Sequence, residues 1–160
     1  MTERIGLGGG CHWCTEAVFQ ALRGVSAVEQ GFVASVPPDD AFSEAVIATF
    51  DPDALPLDVL LEVHLRTHSS TSQHKLRGKY RSAVYAADDA QAERARAALA
   101  RLQAGFDRPL VTRVLPLIEF RPSEERFRNY YAADPERPFC RTYIEPKLAD
   151  LRRRFAAVAR

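Results

Sequence analysis

The chain has 160 residues, of which 46% are hydrophobic and 27% charged, with a net charge of +1 and three cysteines. That length supports one domain (1–160) with a buried core, and the near-neutral charge gives no whole-chain bias toward nucleic acid or lipid. No apolar run approaches the roughly 20 residues of a membrane span. Three cysteines are too few for a disulfide scaffold and suit redox or catalytic use in a reducing compartment; Met1-Thr2-Glu3-Arg4 leads into a strand with no secretory segment, so the expected location is cytoplasmic.

In chain order, 5–8 reads as a short buried strand, and the spacing of Cys14, Ala17, Val18, Ala21 and Leu22 predicts a helix over about 12–23, ended by Gly24. Strands are expected at 25–34 and 44–50, with Val36-Pro37-Pro38-Asp39-Asp40 as the loop between them. Leu57, Leu60, Leu61 and His64 mark a second helix ending near Thr67, and 69–79 is polar and irregular. A strand at 82–86 precedes a helix capped by Asp88, carrying Ala95, Ala98, Leu99 and Leu102 and ended by Gly105. The stretch 111–120 is expected as one strand at an edge or bulge, because of Pro116. Pro122-Ser123-Glu124-Glu125 is expected to open a short helix carrying Phe127, Tyr130 and Tyr131; an irregular stretch through Cys140 and a basic C-terminal helix follow. Strands and helices interleave, which predicts a two-layer α+β sandwich. Arg152-Arg153-Arg154 reads as the solvated face of a helix whose other side is Leu148, Leu151, Phe155 and Val158.

The chemistry concentrates at Gly8-Gly9-Gly10-Cys11-His12-Trp13-Cys14-Thr15-Glu16. A thiol that follows three glycines and opens a helix lies at the positive end of the helix dipole, near unpaired backbone N–H groups. Both favour the thiolate, the form that attacks and exchanges disulfides. Cys14, one turn on, has two readings: a core residue in line with Ala17 and Ala21, or the partner in a Cys-x-x-Cys pair. A zinc site of Cys11, Cys14, His64 and His68 has the right ligand types, but two strands and most of a helix intervene, so one packed histidine and one near a helix C-terminus are expected instead. A general thiol–disulfide oxidoreductase using Cys11 and Cys14, and a non-enzymatic binding module, are the alternative functions.

Gly10-Cys11-His12-Trp13-Cys14-Thr15-Glu16 resembles the signature of the peptide methionine sulfoxide reductase A family. The resemblance continues at Asp51-Pro52, at Lys79-Tyr80-Arg81-Ser82-Ala83-Val84-Tyr85, and at Phe139-Cys140-Arg141-Thr142-Tyr143-Ile144-Glu145-Pro146-Lys147-Leu148. It implies a ferredoxin-like core with an added C-terminal helix. It implies thiol-dependent reduction of methionine S-sulfoxide, free or in proteins, by a monomer that needs no metal or organic cofactor. Cys11 is then the nucleophile, Glu44 and Tyr80 act on the sulfoxide oxygen, and His12 and Trp13 border the methyl group. A Cys11 sulfenic acid condenses with Cys140, with Cys14 as competitor, and thioredoxin or a similar dithiol restores the thiols.

The chain departs from this family at three places. His12 stands where the family has phenylalanine. The loop from Gly31 to Phe42-Ser43-Glu44 is short and lacks an expected second tyrosine. The run Ser72-Gln73-His74-Lys75-Leu76-Arg77-Gly78-Lys79 lacks the family's aspartate, leaving His74 as the nearby candidate for substrate contact. Lys79 and Arg81 are candidates for positive potential beside Tyr80.

Overall fold

The structure, a computed structural model, describes residues 1–73, 77 and 79–160. The elements run β1 (Glu3–Gly8), α1 (His12–Gln20), β2 (Val25–Ala34), β3 (Ser43–Phe50), α2 (Leu57–Arg66), β4 (Ala83–Ala86), α3 (Asp89–Leu102), β5 (Arg113–Pro116), β6 (Glu119–Pro122), α4 (Tyr130–Ala133) and α5 (Glu145–Arg154). They build one sheet in the order β5-β4-β1-β3-β2-β6. β1 lies antiparallel to both β3 and β4, and β2 antiparallel to β3. The units β1–α1–β2 and β3–α2–β4 are therefore interleaved, each with a strand of the other between its own two. This is the ferredoxin-like α+β core, extended by β5, β6 and the C-terminal helix. Among the described residues no helix is long and apolar enough to cross a membrane.

The two faces of the sheet are sorted by alternation along the strands. Val46, Ala48 and Phe50 of β3 join Ile5 and Leu7 of β1 against Phe19, Leu60, Leu61, Ala98 and Leu151 of the helices. Full burial of each large side chain contributes about 1.5–3 kcal/mol. Small residues let α3 lie close, and Asp88 caps it by accepting the Gln91 N–H at 2.7 Å. Arg152, Arg153 and Arg154 are exposed while Leu148 and Leu151 are buried, the solvated face read from the sequence.

The opposite face buries Val33, Ala45, Ile47, Ala83 and Tyr85 beneath Leu115, Leu117 and Phe120. Here the expected single strand at 111–120 is corrected. β5 ends at Pro116, whose missing N–H closes it, and β6 begins only at Glu119. The two run on opposite edges of the sheet: β5 is parallel to β4 and β6 antiparallel to β2. Two residues bridge them, with the Leu117 N–H donating to Ala86 and the Ile118 N–H to Ala34. The sheet must therefore curl around Tyr85 until its edges approach. Arg81 braces that curl: buried, it donates to the Tyr85 hydroxyl at 3.0 Å and to the carbonyls of Ala41 and Val33. It thus serves the far face rather than adding charge beside Tyr80.

Other boundaries also differ from expectation. α1 stops at Gln20, before the apolar spacing ends, and Gly24 turns the chain with φ +91°. The helix expected from Pro122 is replaced by a single 3-10 turn (Glu125–Phe127) and the short α4, preceded by Asn129 at φ +53°. Cys140 lies in no irregular stretch. It starts a π-helical turn (Cys140–Ile144) that runs into α5, and it is fully buried because Ile144 and Leu148 carry it into the core.

The curled face makes a direct prediction. A Cβ on Gly6 would sit 2.7 Å from the Tyr85 Cβ, an atom that cannot swing aside. Gly6→Ala should cost about 1–3 kcal/mol through overpacking and lower the thermal midpoint accordingly. An unchanged midpoint would show that the face does not pack around Tyr85 in this way.

Candidate functional site

Strand register gathers the site at one end of the sheet. Gly8, the last residue of β1, pairs with Ala45 on one side and Ala83 on the other. Because both neighbours are antiparallel, the end of β1 meets the starts of β3 and β4. Glu44 and the segment leading from Tyr80 thus flank the glycine turn that leads to Cys11. That turn is fixed at Gly9, which has φ +149° and whose missing Cβ would fall 2.5 Å from the His68 ring. His64 Nε2 donates to the Gly8 carbonyl at 2.8 Å, and burial holds this imidazole neutral, down to about 4. His68 Nδ1 donates to the His64 carbonyl and its Nε2 accepts from the Ser82 hydroxyl at 2.8 Å. Both histidines are thus engaged in shaping the turn, and the described residues contain no cluster of three or more metal-ligating side chains.

Cys11 is the N-cap of α1; its carbonyl accepts from the N–H groups of Cys14 and Thr15. The Cys14 thiol donates to the Cys11 sulfur, which is the largest of the causes holding Cys11 below the ordinary thiol range. Backbone N–H groups of Trp13 and Cys14 act in the same direction, against burial and the Glu44 carboxylate. Cys14 is correspondingly pushed up. It fills both roles read from its spacing, being buried in the core and in contact with Cys11. Cys140 lies close enough to Cys14 for their charges to interact, and burial raises its pKa as well. All three thiols are free.

A cleft of about 360 Å³ opens over Cys11, lined among others by Cys14, His68, Tyr80, Phe139, Tyr143 and Lys147. Glu44, 7% exposed, accepts the His12 backbone N–H at 3.2 Å on Oε1 and lies 3.6 Å from Lys79 Nζ through Oε2. Tyr80 is half-buried, with the Lys79 ammonium 5.1 Å from its ring centroid. Cys11 and Tyr80 thus line one cleft, and the Glu44 carboxylate is held next to Cys11 by the His12 backbone N–H. Trp13 does not line this cleft: its indole stacks on Tyr130, with centroids 4.1 Å apart and planes 6° off parallel, and meets Phe139 edge-on. Phe139 carries that aromatic group to the cleft. His12 is buried against Phe32 and is turned toward β2 rather than into the cleft. The expectation for His74 lies outside the described residues.

Three further residues contribute, none of them assigned a role from the sequence. Arg77 ties the turn to its surroundings, donating to the carbonyls of Gly9 at 2.8 Å, Tyr80 at 2.9 Å and Ser72 at 2.9 Å. Glu16 is buried and accepts from the N–H groups of Asn129 and Tyr130 and from Gln30, fastening the segment that covers Trp13. Lys147 reaches the Thr67 carbonyl from α5. Lys147 and Glu16 belong to quoted motif segments, whereas an arginine in an irregular polar run gives no sequence signal.

The chain is similar to known proteins along nearly its whole length. The family model for peptide methionine sulfoxide reductase matches residues 3–158. A protein of Chromobacterium violaceum named peptide methionine sulfoxide reductase MsrA is 36% identical over 170 residues, covering 96% of this chain and 97% of its own. One of the same name from Thermus thermophilus is 35% identical over 175 residues, covering 100% and 99%. Among solved structures, methionine sulfoxide reductase A of Corynebacterium diphtheriae superposes with a TM-score of 0.69 at 28% identity, covering 84% of this chain and 76% of that one. The Saccharomyces cerevisiae protein Mxr1, solved in complex with Trx2, shares the fold with a TM-score of 0.64 at 20% identity, covering 78% and 83%.

The Cys14-to-Cys11 hydrogen bond is testable by alkylation. Cys14→Ala removes the largest influence that lowers the Cys11 pKa, so the midpoint of Cys11 alkylation against pH should rise toward the ordinary value of about 8.5. An unchanged midpoint would assign the acidity to the helix N-terminus alone.

Proposed function

The chain belongs to the peptide methionine sulfoxide reductase family, and on that premise we propose that the cleft over Cys11 reduces the S epimer of methionine sulfoxide. The observation that carries the reading is that a Cys11 thiol of lowered pKa and Tyr80 line one cleft, while the nearly buried Glu44 carboxylate is bonded to the backbone N–H after Cys11 and lies close enough to act on the thiol's charge. The Cys11 thiolate attacks the sulfoxide sulfur. Glu44 and Tyr80 hydrogen-bond the oxygen, and a proton reaches it as negative charge develops. Methionine departs and Cys11 is left as a sulfenic acid. Phe139, backed by Trp13 and Tyr130, offers an apolar surface for the methyl substituent.

The sequence favours Cys140 as the resolving thiol. The geometry supports Cys14 as first partner, since it already hydrogen-bonds Cys11, whereas Cys140 is fully buried in a helical turn. A Cys11–Cys14 bridge, passed to Cys140 by exchange, brings all three thiols into one route. A dithiol of the thioredoxin class then restores them, a reading supported by the Trx2 complex of the yeast fold relative. Free thiols suit a reducing cytoplasm. The chain acts as one domain, and neither the nucleophile nor its regeneration calls for a metal or organic cofactor.

Cysteine variants test the route. Cys11→Ser should release no methionine. Cys140→Ser should release one methionine per chain, accumulate a Cys11–Cys14 bridge and recycle poorly with thioredoxin. Cys14→Ser should leave the sulfenic acid long-lived enough to trap with a dione reagent. Full activity of Cys11→Ser would overturn the mechanism. Rapid Cys11–Cys140 bridging in Cys14→Ser would instead make Cys140 the direct partner.

A further inference from the structure

His12 has one nitrogen committed and one facing the catalytic carboxylate. Its Nδ1 lies 2.8 Å from the Gly31 carbonyl, a group that only accepts, so Nδ1 carries a proton. Nε2 is then either a lone pair or a second N–H, and it faces Glu44 Oε1 at 3.5 Å. A lone pair facing an ionised carboxylate is acceptor against acceptor. One proton between them, on either partner, turns the contact attractive. The pair is secluded, with both residues 7% exposed, and the His12 backbone N–H also donates to the same Oε1.

We propose that His12 and Glu44 share a single proton and that His12, acting through Glu44 as a positioning residue, holds it ready for the sulfoxide oxygen. The proposal rests on the function assigned above and adds the source of the proton. The neighbours fit. Lys79 lies 3.6 Å from Glu44 Oε2 and is exposed, and Cys11 precedes His12 and feels the Glu44 charge. Glu16, one turn along α1 from His12, is already held by two backbone N–H groups and Gln30. Gly31 and Phe32, the contacts from β2, carry no ionisable side chain. An ionised Glu44 opposes the Cys11 thiolate, so a proton on the pair favours the attacking form.

The step balances. Cys11 thiolate, sulfoxide and one proton give Cys11 sulfenic acid and methionine; the substrate sulfur gains the two electrons that Cys11 loses. Glu44 passes the proton to the oxygen and draws on His12 Nε2, leaving neutral His12 beside ionised Glu44. Once the dithiol has reduced the disulfide, Cys11 returns as a thiol and its ionisation restores the proton to the pair.

Single-turnover release of methionine from prereduced protein, followed from about pH 5 to about pH 9, separates this role from packing. His12→Asn can still donate to Gly31 but has no second ring nitrogen, and His12→Phe removes both. Both variants should slow the wild-type rate at least about tenfold near pH 8 and by less at pH 5, at unchanged half-saturation, in keeping with loss of general-acid assistance. A rate lowered by one factor at every pH, or not lowered, overturns the proposal. Nitrogen-15 spectra of substrate-free wild type should show Nδ1 protonated at every pH and Nε2 as the site that exchanges its proton; the opposite tautomer also overturns it. No methionine from the wild type would defeat the assigned function itself, whereas a normal wild-type burst with pH-independent variant effects defeats only the shared proton.

Discussion

Gly8 pairs with Ala45 and Ala83 at once, and this double antiparallel register sets where every proposed catalytic group can lie. Shifting either strand by one residue would reverse the faces of β3 or β4. Val46 and Ala48 would then leave the helix core, and Glu44 would no longer flank the turn. The register is held from both sides. Ile5 and Leu7 pack on the helices, while Gly6 yields space to Tyr85 on the curled face. Precision at the site is thus a consequence of hydrophobic sorting some distance from it.

Within that frame the site resolves an electrostatic conflict. A thiolate at the start of α1 is favoured by the Cys14 thiol and by backbone N–H groups, and opposed by burial and by the Glu44 charge. Each pKa unit corresponds to about 1.4 kcal/mol, comparable with one charge-assisted hydrogen bond. The balance therefore turns on individual partners. Under the proposed sharing, a proton on the His12–Glu44 pair relieves that opposition and stands ready for the sulfoxide oxygen.

Much of this was legible in the sequence because it rested on local rules. The glycines before Cys11 and the Asp88 cap foretold the elements they open, and the strands expected at 25–34 and 44–50 formed there. The resemblance supplied the interleaved topology that periodicity could not choose. What remained hidden depended on contacts distant in sequence. Pro116 divides two strands only because β4 and β2 await them on opposite edges. Cys140 reads as part of a loop because prolines precede it, yet Ile144 and Leu148 draw it into the core as a helical turn. Arg77 and Arg81 look like surface charges and are instead held by backbone carbonyls of other segments. His12 read as a polar replacement in a methyl cage because the sequence does not reveal that the Gly31 carbonyl lies beside its ring.

The proposed route runs through all three thiols, and in it the groups around Cys11 serve oxygen transfer rather than disulfide exchange alone. The most direct measurement is therefore a single turnover of prereduced protein with the S and R epimers of methionine sulfoxide supplied separately. The account predicts about one methionine per chain from the S epimer and none from the R epimer, with loss of free Cys11 thiol in step. No methionine from either epimer, alongside ready reduction of a protein disulfide such as that of insulin, would contradict it and make the Cys11–Cys14 pair a general thiol–disulfide exchanger.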